Sequence, residues 1–277
     1  MKLNYDEMKQ INETQLEIFK KFVEVCSYLN LKYFMIHGSL LGTLRYNGFF
    51  PFDDDIDVAM PRKDYDIFIS NGQKLMPDNL FIQSCFTEKE FPLPFAKIRD
   101  SNTAFIQPIL KNCNVNKGIY IDVFPIDLYP ENKIRQIKLY LLDRIYTIRI
   151  NANLHNIKDV SFYKTIIFKF AKLVFPSWRK AVEKRANLYC KDKKSNKIVI
   201  TGGKLVDRGI PAEWLQNHRV EKFEKIDVSC PIKTEEYLKC IYGDYLNYNP
   251  SEKYMIGECV NVSAEKVSTT MSYKELL

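Results

Sequence analysis

The sequence has few of the residues that build zinc sites, and it spaces them poorly for that purpose. Its only histidines are His37, His155 and His218, which are far apart along the chain. The seven cysteines include no C-x-x-C pair, their number is odd and their spacings are wide. Zinc sites and small disulfide frameworks use closely spaced ligands or paired cysteines. The pattern argues against both and predicts reduced, mostly buried thiols in a cytoplasmic protein.

Long apolar runs are also absent. No stretch of about 18 apolar residues occurs, so no transmembrane span is predicted. The segment Met1–Glu17 is polar and charged, and no secretory signal is expected there. No repeat is visible, and no helix-turn-helix, zinc-finger or RNP-like motif indicates a nucleic-acid partner. These absences predict a cytoplasmic protein whose only membrane contact is peripheral, at the inner face.

Apolar and basic residues, by contrast, are plentiful. The chain has 277 residues, of which 46% are hydrophobic. This is enough for one large domain or for a core domain with a helical extension. The formal net charge is +7 at pH 7, and the sequence pI is near 8.8. Nucleotides, phosphate polymers and an anionic membrane surface are therefore the expected classes of partner.

The most informative stretch is HGSLLGTLRYNGFFPFDDDIDVAM, residues 37–60. A short apolar strand, residues 33–36, leads into a turn at Gly38 and Ser39. Glycine lets a backbone come close to a ligand, and consecutive N–H groups in such a turn can bind phosphate. The turn therefore predicts a phosphate site formed by Gly38 and Ser39.

Four aspartates close this stretch, and two of them are spaced for a shared function. In an extended strand, Asp55 and Asp57 point to the same face, about 6–7 Å apart. They would repel each other unless a cation lay between them, and Mg²⁺ or Mn²⁺ commonly joins protein carboxylates to substrate phosphates. Acidic clusters are usually solvated loops, but these acids lie in an apolar, aromatic segment. The pattern predicts a metal site at Asp55 and Asp57.

A further aspartate, Asp122, lies inside the apolar strand predicted over Ile119–Phe124. A single carboxylate in such a segment is costly to bury without a partner. A cation shared with Asp55 and Asp57 would remove that cost. We therefore expect the three carboxylates to lie within a few ångströms of one another.

The stretch HGSLLGTLRYNGFFPFDDDIDVAMPRKDYD, residues 37–66, resembles the signature of the LicD family of phosphotransferases. Two later stretches fit the same family, KGIYIDVFPID at 117–127 and YGDYLNYNPSEK at 242–253. That family is similar to the nucleotidyltransferases related to DNA polymerase beta, which combine a Gly-Ser turn, a D-x-D pair and a later third aspartate. The resemblance implies an α/β (α+β) fold with a nucleotidyltransferase-like mixed sheet. It also implies that Asp55, Asp57 and Asp122 are the catalytic and metal-binding residues.

The resemblance implies an activity as well. The expected reaction is metal-dependent transfer of a phospho-alcohol, with phosphocholine from CDP-choline favoured, and CMP is released. The partners would be a CDP-linked alcohol donor and a glycan or lipid-linked glycan acceptor, such as a teichoic acid or lipopolysaccharide precursor. Two alternatives remain open: a nucleotidyltransferase that moves NMP from NTP, and a non-catalytic glycan- or membrane-binding module. No residue is assignable as the general base.

Basic residues near the aspartates are candidates for binding the donor phosphates. Arg45 is either a phosphate ligand or an exposed arginine that pairs with an aspartate. Lys97 and Arg99 share one face of a strand predicted over Phe95–Arg99, where they either meet a diphosphate or lie on a solvated edge strand. A strand at Thr103–Gln107 is expected to pair back on it.

The aromatic residues Phe50 and Phe52 lie in a loop, residues 48–52, that precedes the aspartates. The loop either only folds over the core or offers aromatic faces to a quaternary ammonium group such as that of choline.

Three parts are predicted: a catalytic core at 1–130, a helical, basic extension at 131–235 and a C-terminal segment at 236–277 that packs back on the core. In the extension, the spacing of Phe162–Phe175 predicts a helix with one broad apolar face. Phe168 and Phe175 lie on its other side, among lysines. The segment Phe162–Arg185 is therefore either a buried helix or a helix that docks on a membrane through Phe168 and Phe175.

Overall fold

The computed structural model describes residues 1–51, 53–155, 160–190, 194–203, 209–249, 255–256 and 259–277. Its helices are α1 (Tyr5–Tyr28), α2 (His37–Tyr46), α3 (Arg62–Asn71), α4 (Lys133–Leu154), α5 (Phe162–Val174), α6 (Trp178–Ala186), α7 (Thr234–Tyr242) and α8 (Tyr273–Leu276). Its strands are β1 (Lys2–Leu3), β2 (Phe34–Met35), β3 (Asp57–Pro61), β4 (Leu80–Gln83), β5 (Ala96–Asp100), β6 (Ala104–Ile106), β7 (Ile119–Leu128), β8 (Lys197–Ile200), β9 (Ile210–Pro211), β10 (His218–Phe223), β11 (Ile226–Pro231), β12 (Met255–Ile256), β13 (Cys259–Asn261) and β14 (Lys266–Ser268).

The central sheet is mixed, which confirms the predicted α/β class. Its strand order is β2-β3-β7-β5-β4. Strand β8 pairs with the C-terminal end of β7, and β9 pairs with β8. The pair β3 and β7 is parallel, whereas β7 and β5 are antiparallel. Helix α1 packs on β7 and β5, and α3 packs on β3 and β7. The parallel pair therefore lies in the middle of the sheet, where it can hold the predicted aspartates.

Helix α1 shows how local sequence sets these elements. The side chain of Asn4 accepts a hydrogen bond from the amide of Glu7 at 2.9 Å, and the Glu7 carboxylate accepts one from the amide of Asn4 at 2.8 Å. This reciprocal pair is a capping box, which satisfies two amides at the helix start. Ile11, Ile18 and Phe22 recur at helical spacing and are buried against the sheet.

One predicted strand pairing and one predicted boundary differ from the structure. Strand β6 pairs antiparallel with β14 near the C-terminus, not with β5. The helices of the extension, α4, α5 and α6, end at Ala186, whereas the predicted helical extension reached residue 235. The chain after them returns to the central sheet, because β8 pairs with β7. The hairpin of β10 and β11 also contributes buried residues to the main core, among them Phe223 and Val228.

A buried ion pair fastens the helical extension to the sheet. Arg62 at the start of α3 donates two hydrogen bonds to the carboxylate of Asp127 in β7, at 2.8 and 2.6 Å. It donates a third to the carbonyl of Ala186 at the end of α6, at 3.1 Å. The hydroxyl of Thr201, just after β8, also donates to Asp127 at 2.5 Å. A bidentate arginine and a hydroxyl thus satisfy a carboxylate that is 2% exposed.

The prediction that Phe168 and Phe175 face a membrane is wrong. Phe168 is buried, and its ring stacks on His155 with the centroids 6.3 Å apart. Phe175 is half-buried and meets the ring of Tyr146 edge-on at 5.6 Å. The side of α5 with these rings faces α4, because the two helices pack on each other. The broad apolar face of α5 therefore points outward.

None of the helices in the described ranges combines the length and the apolar character that crossing a membrane requires.

Helix α2 packs so closely on the following loop that a methyl group at Gly42 has no room. A Cβ at Gly42 would lie 2.4 Å from the carbonyl oxygen of Gly48 and 2.5 Å from the amide nitrogen of Phe50. Both are backbone atoms that cannot turn away. We expect Gly42→Ala to lower the free energy of unfolding by about 1–3 kcal/mol, measured by urea denaturation.

Gly38→Ala is the matched control for this prediction. A Cβ at Gly38 would approach the carboxylate of Asp53 at 2.2 Å, but that side chain can rotate away. We expect a smaller loss of stability than for Gly42→Ala. Equal losses in the two variants would contradict the proposed backbone contact.

Candidate active site

Three aspartates converge at the middle of the sheet. In the parallel pair β3 and β7, Asp57 and Asp122 are register partners. Asp55 was expected to lie in the same strand as Asp57. In the structure it lies two residues before the start of β3. One carboxylate oxygen of each residue lies within 4.8 Å of those of the other two. The predicted proximity of Asp122 to Asp55 and Asp57 is therefore confirmed.

Backbone hydrogen bonds hold the segment of these aspartates in place. The amide of Asp122 donates to the carbonyl of Ile56 at 2.8 Å, and the amide of Ile36 donates to the carbonyl of Asp57 at 3.1 Å. The amide of Asp57 donates to the hydroxyl oxygen of Ser39 at 2.8 Å. Ser39 is buried and thus links the start of α2 to the start of β3. It acts on the position of Asp57 whether or not it also contacts a phosphate.

Mutual repulsion and burial dominate the electrostatics of the cluster. Burial raises the pKa of Asp55 well above its usual range, and the charges of Asp57, Asp54 and Asp122 raise it further. Burial also raises the pKa of Asp122, against the opposing effect of Lys97. A divalent cation would remove this repulsion, and an all-carboxylate donor set suits the hard ions Mg²⁺ and Mn²⁺. The residues present therefore fit such an ion.

Lys97 is part of the same cluster. Its ammonium group donates to Asp122 at 2.5 Å and lies 3.4 Å from the centroid of the Tyr120 ring. Strand β5 lies between β7 and β4, so the alternative of a solvated edge strand is wrong for Lys97 and Arg99. Burial lowers the pKa of Lys97, although Asp122 opposes that effect. Lys97 thus supplies positive charge inside the sheet, directly beside the predicted metal ligands.

Arg99 follows Lys97 on the same face, as predicted, but its contacts are with the protein. Its guanidinium lies 4.8 Å from the centroid of the Tyr120 ring. It donates to the side chain of Gln83 at 2.5 Å and to the carbonyl of Gly118 at 2.6 Å. Burial lowers its pKa to about 10. Arg99 therefore supports the sheet behind the cluster, and its role as a diphosphate ligand stays a prediction.

Helix α2 begins beside the aspartates and has ten residues. His37, its first residue, has a left-handed backbone with φ of 49°. The carboxylate of Asp53 lies against the backbone of Gly38, at the first turn of the helix. Amide groups in the first turn of a helix favour negative charge. Gly38 and Ser39 thus lie next to the carboxylate cluster, and their binding of phosphate stays a prediction.

Comparison with known proteins agrees with this geometry. Residues 30–179, more than half of the chain, match the model of the LicD/FKTN/FKRP nucleotidyltransferase domain. The chain belongs to this LicD family. The matched region contains Asp55, Asp57 and Asp122, together with Lys97 and the start of α2. The family resemblance inferred from the sequence motifs, and with it a LicD-like phosphotransferase, is confirmed.

Individual relatives differ in how much of the chain they cover. The lipopolysaccharide cholinephosphotransferase LicD of Haemophilus influenzae is 24% identical over 247 residues, which are 86% of this chain and 90% of that protein. An uncharacterized protein of Rickettsia prowazekii is 26% identical over 129 residues, 46% of this chain and 44% of its own length. A similar protein of Rickettsia typhi is 29% identical over 132 residues, 47% of this chain and 39% of its own length.

Arg45 of this LicD-family chain does not pair with an aspartate in the described structure, so that alternative is wrong. Its guanidinium donates to the carbonyls of Tyr245 and Tyr248, at 3.3 and 2.6 Å. It also lies 5.3 Å from the ring centroids of Tyr46 and Phe50. Arg45 therefore holds the segment after α7 against α2. A role as phosphate ligand stays a prediction.

Phe50 lies in the main core and is 6% exposed. Its ring contacts those of Tyr46 and Tyr248, with centroids 5.6 and 6.3 Å apart. Little of the ring is left for a substrate, and Arg45 already faces it. Phe52, the other predicted aromatic contact, lies outside the described residues.

Sequence reasoning missed the tyrosines that α7 brings to the site. Tyr242, at the end of α7, is half-buried. Burial raises its pKa, and the charges of Asp53, Asp57 and Asp55 raise it further. Its ring lies 4.7 Å from that of Tyr248. Only the family resemblance of YGDYLNYNPSEK pointed to this segment, because no local spacing links it to the aspartates.

A buried histidine also lies near α7. The hydroxyl of Tyr237 and the Nδ1 atom of His37 are 3.2 Å apart. The His37 ring also meets Phe124 edge-on, with centroids 5.9 Å apart. His37 therefore connects α2, α7 and β7 close to Asp122. Its isolation in the sequence had indicated no role.

Proposed function

We propose that this LicD-family protein transfers phosphocholine from CDP-choline to a hydroxyl group of a cell-surface glycan and releases CMP. The observation that carries the proposal is the convergence of Asp55, Asp57 and Asp122 within 4.8 Å, inside the family's nucleotidyltransferase domain. The name of the Haemophilus influenzae relative, which matches 86% of this chain, supports phosphocholine and a lipopolysaccharide acceptor. Teichoic acid stays an alternative acceptor.

Asp55, Asp57 and Asp122 would together hold Mg²⁺ or Mn²⁺. When bound, such an ion would neutralise the donor diphosphate and stabilise the charge that develops during phosphoryl transfer. Lys97 holds one oxygen of Asp122 and thereby fixes the orientation of that carboxylate. Ser39 fixes the backbone of Asp57 in the same way. The protein thus orients two of the three ligands before any substrate enters.

The proposed reaction is a displacement at the phosphorus atom that bears choline. The acceptor hydroxyl oxygen forms a bond to that phosphorus, and the bond from phosphorus to the bridging oxygen of the diphosphate breaks. CMP leaves with the electron pair, and the hydroxyl proton passes to an aspartate of the cluster. The first-turn amides of α2, near Gly38, are suited to bind a phosphate oxygen and keep the donor in line.

We expect aromatic side chains to contact the choline group, because ring faces attract quaternary ammonium ions. Tyr242 and Tyr248 are the favoured rings, since they contact each other, α7 packs on α2, and Arg45 of α2 donates to the carbonyl of Tyr248. Phe50 supports Tyr248 from the core side. We therefore propose Tyr242 and Tyr248 as choline contacts in preference to Phe50.

A panel of donors tests the function and its metal dependence together. The full chain is incubated with CDP-choline, CDP-ethanolamine, CDP-glycerol or CDP-ribitol and a glycan acceptor, and CMP is measured. We expect CMP from CDP-choline in Mg²⁺, none after EDTA treatment, and recovery when Mg²⁺ is restored. Release from another donor only would retain the phosphotransferase and replace the alcohol.

The second candidate is a nucleotidyltransferase, since the matched family domain is itself a nucleotidyltransferase domain. It would move NMP from NTP and release pyrophosphate. Pyrophosphate from NTP, with no CMP from any CDP-alcohol, would replace the proposed function by this one. Binding of glycan without either product would indicate the non-catalytic module.

A further inference from the structure

Helix α5 presents an apolar face to its surroundings. Of its residues, only Phe168 is buried. Phe162 and Leu173 are 73% and 77% exposed, and Phe170 is 65% exposed. The other exposed apolar residues of the helix are Tyr163, Ile166, Ile167 and Val174. Helices of globular proteins normally turn such a face toward the core. In α5, the side that faces the protein has fewer apolar residues than the side that is exposed.

Helix α4, which packs on α5, repeats the pattern. Its buried side includes Leu139, Tyr146 and Ile150. A second apolar stripe runs along its exposed side at spacings of three and four residues, and it consists of Ile134, Ile137, Leu141 and Ile145. Spacing of three and four residues is typical of a helix in the sequence alone. The periodicity therefore reports an exposed stripe in addition to the buried one.

The charges around these stripes are almost all positive. Across the described residues of α4 and α5, Asp143 is the only carboxylate, and it is buried and accepts a hydrogen bond from Arg185 at 2.9 Å. The exposed basic residues are Lys133, Arg135, Lys138, Arg144, Lys164 and Lys169. An apolar surface bordered by lysine and arginine, with its one acid neutralised, is complementary to anionic lipid.

Helix α4 has 22 residues but carries charged side chains along its length, and α5 is too short to cross a membrane. Helix α5 has 13 residues, which at 1.5 Å per residue is about 20 Å. The hydrocarbon core of a bilayer is about 30 Å thick. We propose that the exposed apolar faces of α4 and α5 lie in the interface of an anionic membrane, parallel to its plane. This inference does not rest on the proposed function, since it is tested without substrate.

Sedimentation of the full chain with lipid vesicles tests the proposal. One set of vesicles contains phosphatidylcholine alone, and the other contains phosphatidylcholine with phosphatidylglycerol. We expect binding to the anionic vesicles, and we expect it to weaken as salt rises from about 0.1 M to about 1 M, where the Debye length falls from about 10 Å to about 3 Å. The double variant Phe170→Ser/Leu173→Ser should reduce the bound-to-free ratio roughly tenfold or more.

Two control variants distinguish lipid binding through α4 and α5 from nonspecific binding to vesicles. Val220→Ser removes an apolar side chain that is 60% exposed on β10, away from α4 and α5, and binding should not change. Lys164→Gln/Lys169→Gln keeps the apolar face and should reduce binding to the anionic vesicles only. All these residues are exposed, so each variant should keep the far-UV circular dichroism and melting temperature of the wild type.

Three results would overturn the proposal. The first is no binding to anionic vesicles, and the second is equal binding to both kinds of vesicle. The third is a dimer in light scattering that Phe170→Ser/Leu173→Ser converts to a monomer without any effect of lipid. That result would assign the surface to a contact between two copies of the chain.

Discussion

Replacing Asp55 or Asp57 by asparagine is expected to lower the turnover number by at least roughly a hundredfold, because each change would remove a charged ligand of the proposed cation, which would stabilise the transition state. Both carboxylates lie with Asp122 in a cluster whose oxygens are within 4.8 Å. The measurement is the rate of CMP release at saturating donor in Mg²⁺. Near-normal turnover in either variant would contradict the assignment of the site.

Asp54→Asn is the matched control for these variants. The carboxylate of Asp54 accepts hydrogen bonds from the amide and hydroxyl of Ser263, at 3.2 and 3.3 Å, and is not one of the three carboxylates of the cluster. We expect a much smaller loss of turnover than for Asp55→Asn. Asp53, which lies against the start of α2, should likewise matter less than Asp55 and Asp57.

The same variants should not lose stability in the absence of metal. The pKa of Asp55 in the folded chain is raised above its unfolded value. Such a group favours folding below its unfolded pKa, and this contribution is lost as the pH rises through the folded pKa. Since pH 7 lies above the unfolded pKa of an aspartate, Asp55 opposes folding at pH 7 in EDTA. We expect Asp55→Asn to raise the melting temperature under these conditions, measured by differential scanning calorimetry.

Lys97→Met is expected to have the largest effect on stability. It removes the ammonium group that lies 2.5 Å from Asp122 and leaves a buried carboxylate next to two others. Removal of one partner of a buried ion pair typically costs 3–5 kcal/mol, so we expect a loss of about that size in urea denaturation without metal. Mg²⁺ should restore part of it, since a cation replaces the lost charge.

A second variant shows whether the loss comes from the charge of Asp122. In the Lys97→Met background, Asp122→Asn removes the unpaired carboxylate and should recover much of the lost stability. Lys222→Met is the exposed control, because its ion pair with Asp227 lies on the surface and contributes little. No recovery in the double variant would show that packing, and not charge, explains the effect of Lys97.

The location of the carboxylate cluster could be predicted from the sequence. Asp57 and Asp122 each lie in a short apolar segment, and only strands with buried neighbours accommodate such a pattern. Their approach follows once the two strands pair in parallel and in register. The period of two along a strand also placed Lys97 and Arg99 on one face, and the structure has them there, around Tyr120.

What those two cations touch could not be predicted. Whether a strand is central or at an edge depends on which strands flank it, and neither β4 nor β7, the neighbours of β5, is joined to it by a tight turn. In that position Lys97 is buried beside Asp122, and Arg99 donates hydrogen bonds to Gln83 and Gly118. Likewise, β6 pairs with β14 from the far end of the chain, although a turn to β5 was closer.

The sequence by itself determined the elements that carry a period or a local motif: the helices, the capping box of α1, the D-x-D segment and the family. The tertiary structure decided which face of each element is covered. Periodicity in α4 and α5 marks apolar stripes but does not tell a buried stripe from an exposed one, because hydrophobic side chains have the same spacing in both. Phe168 is buried and Phe170 exposed for the reason that α5 packs on α4 through one side only.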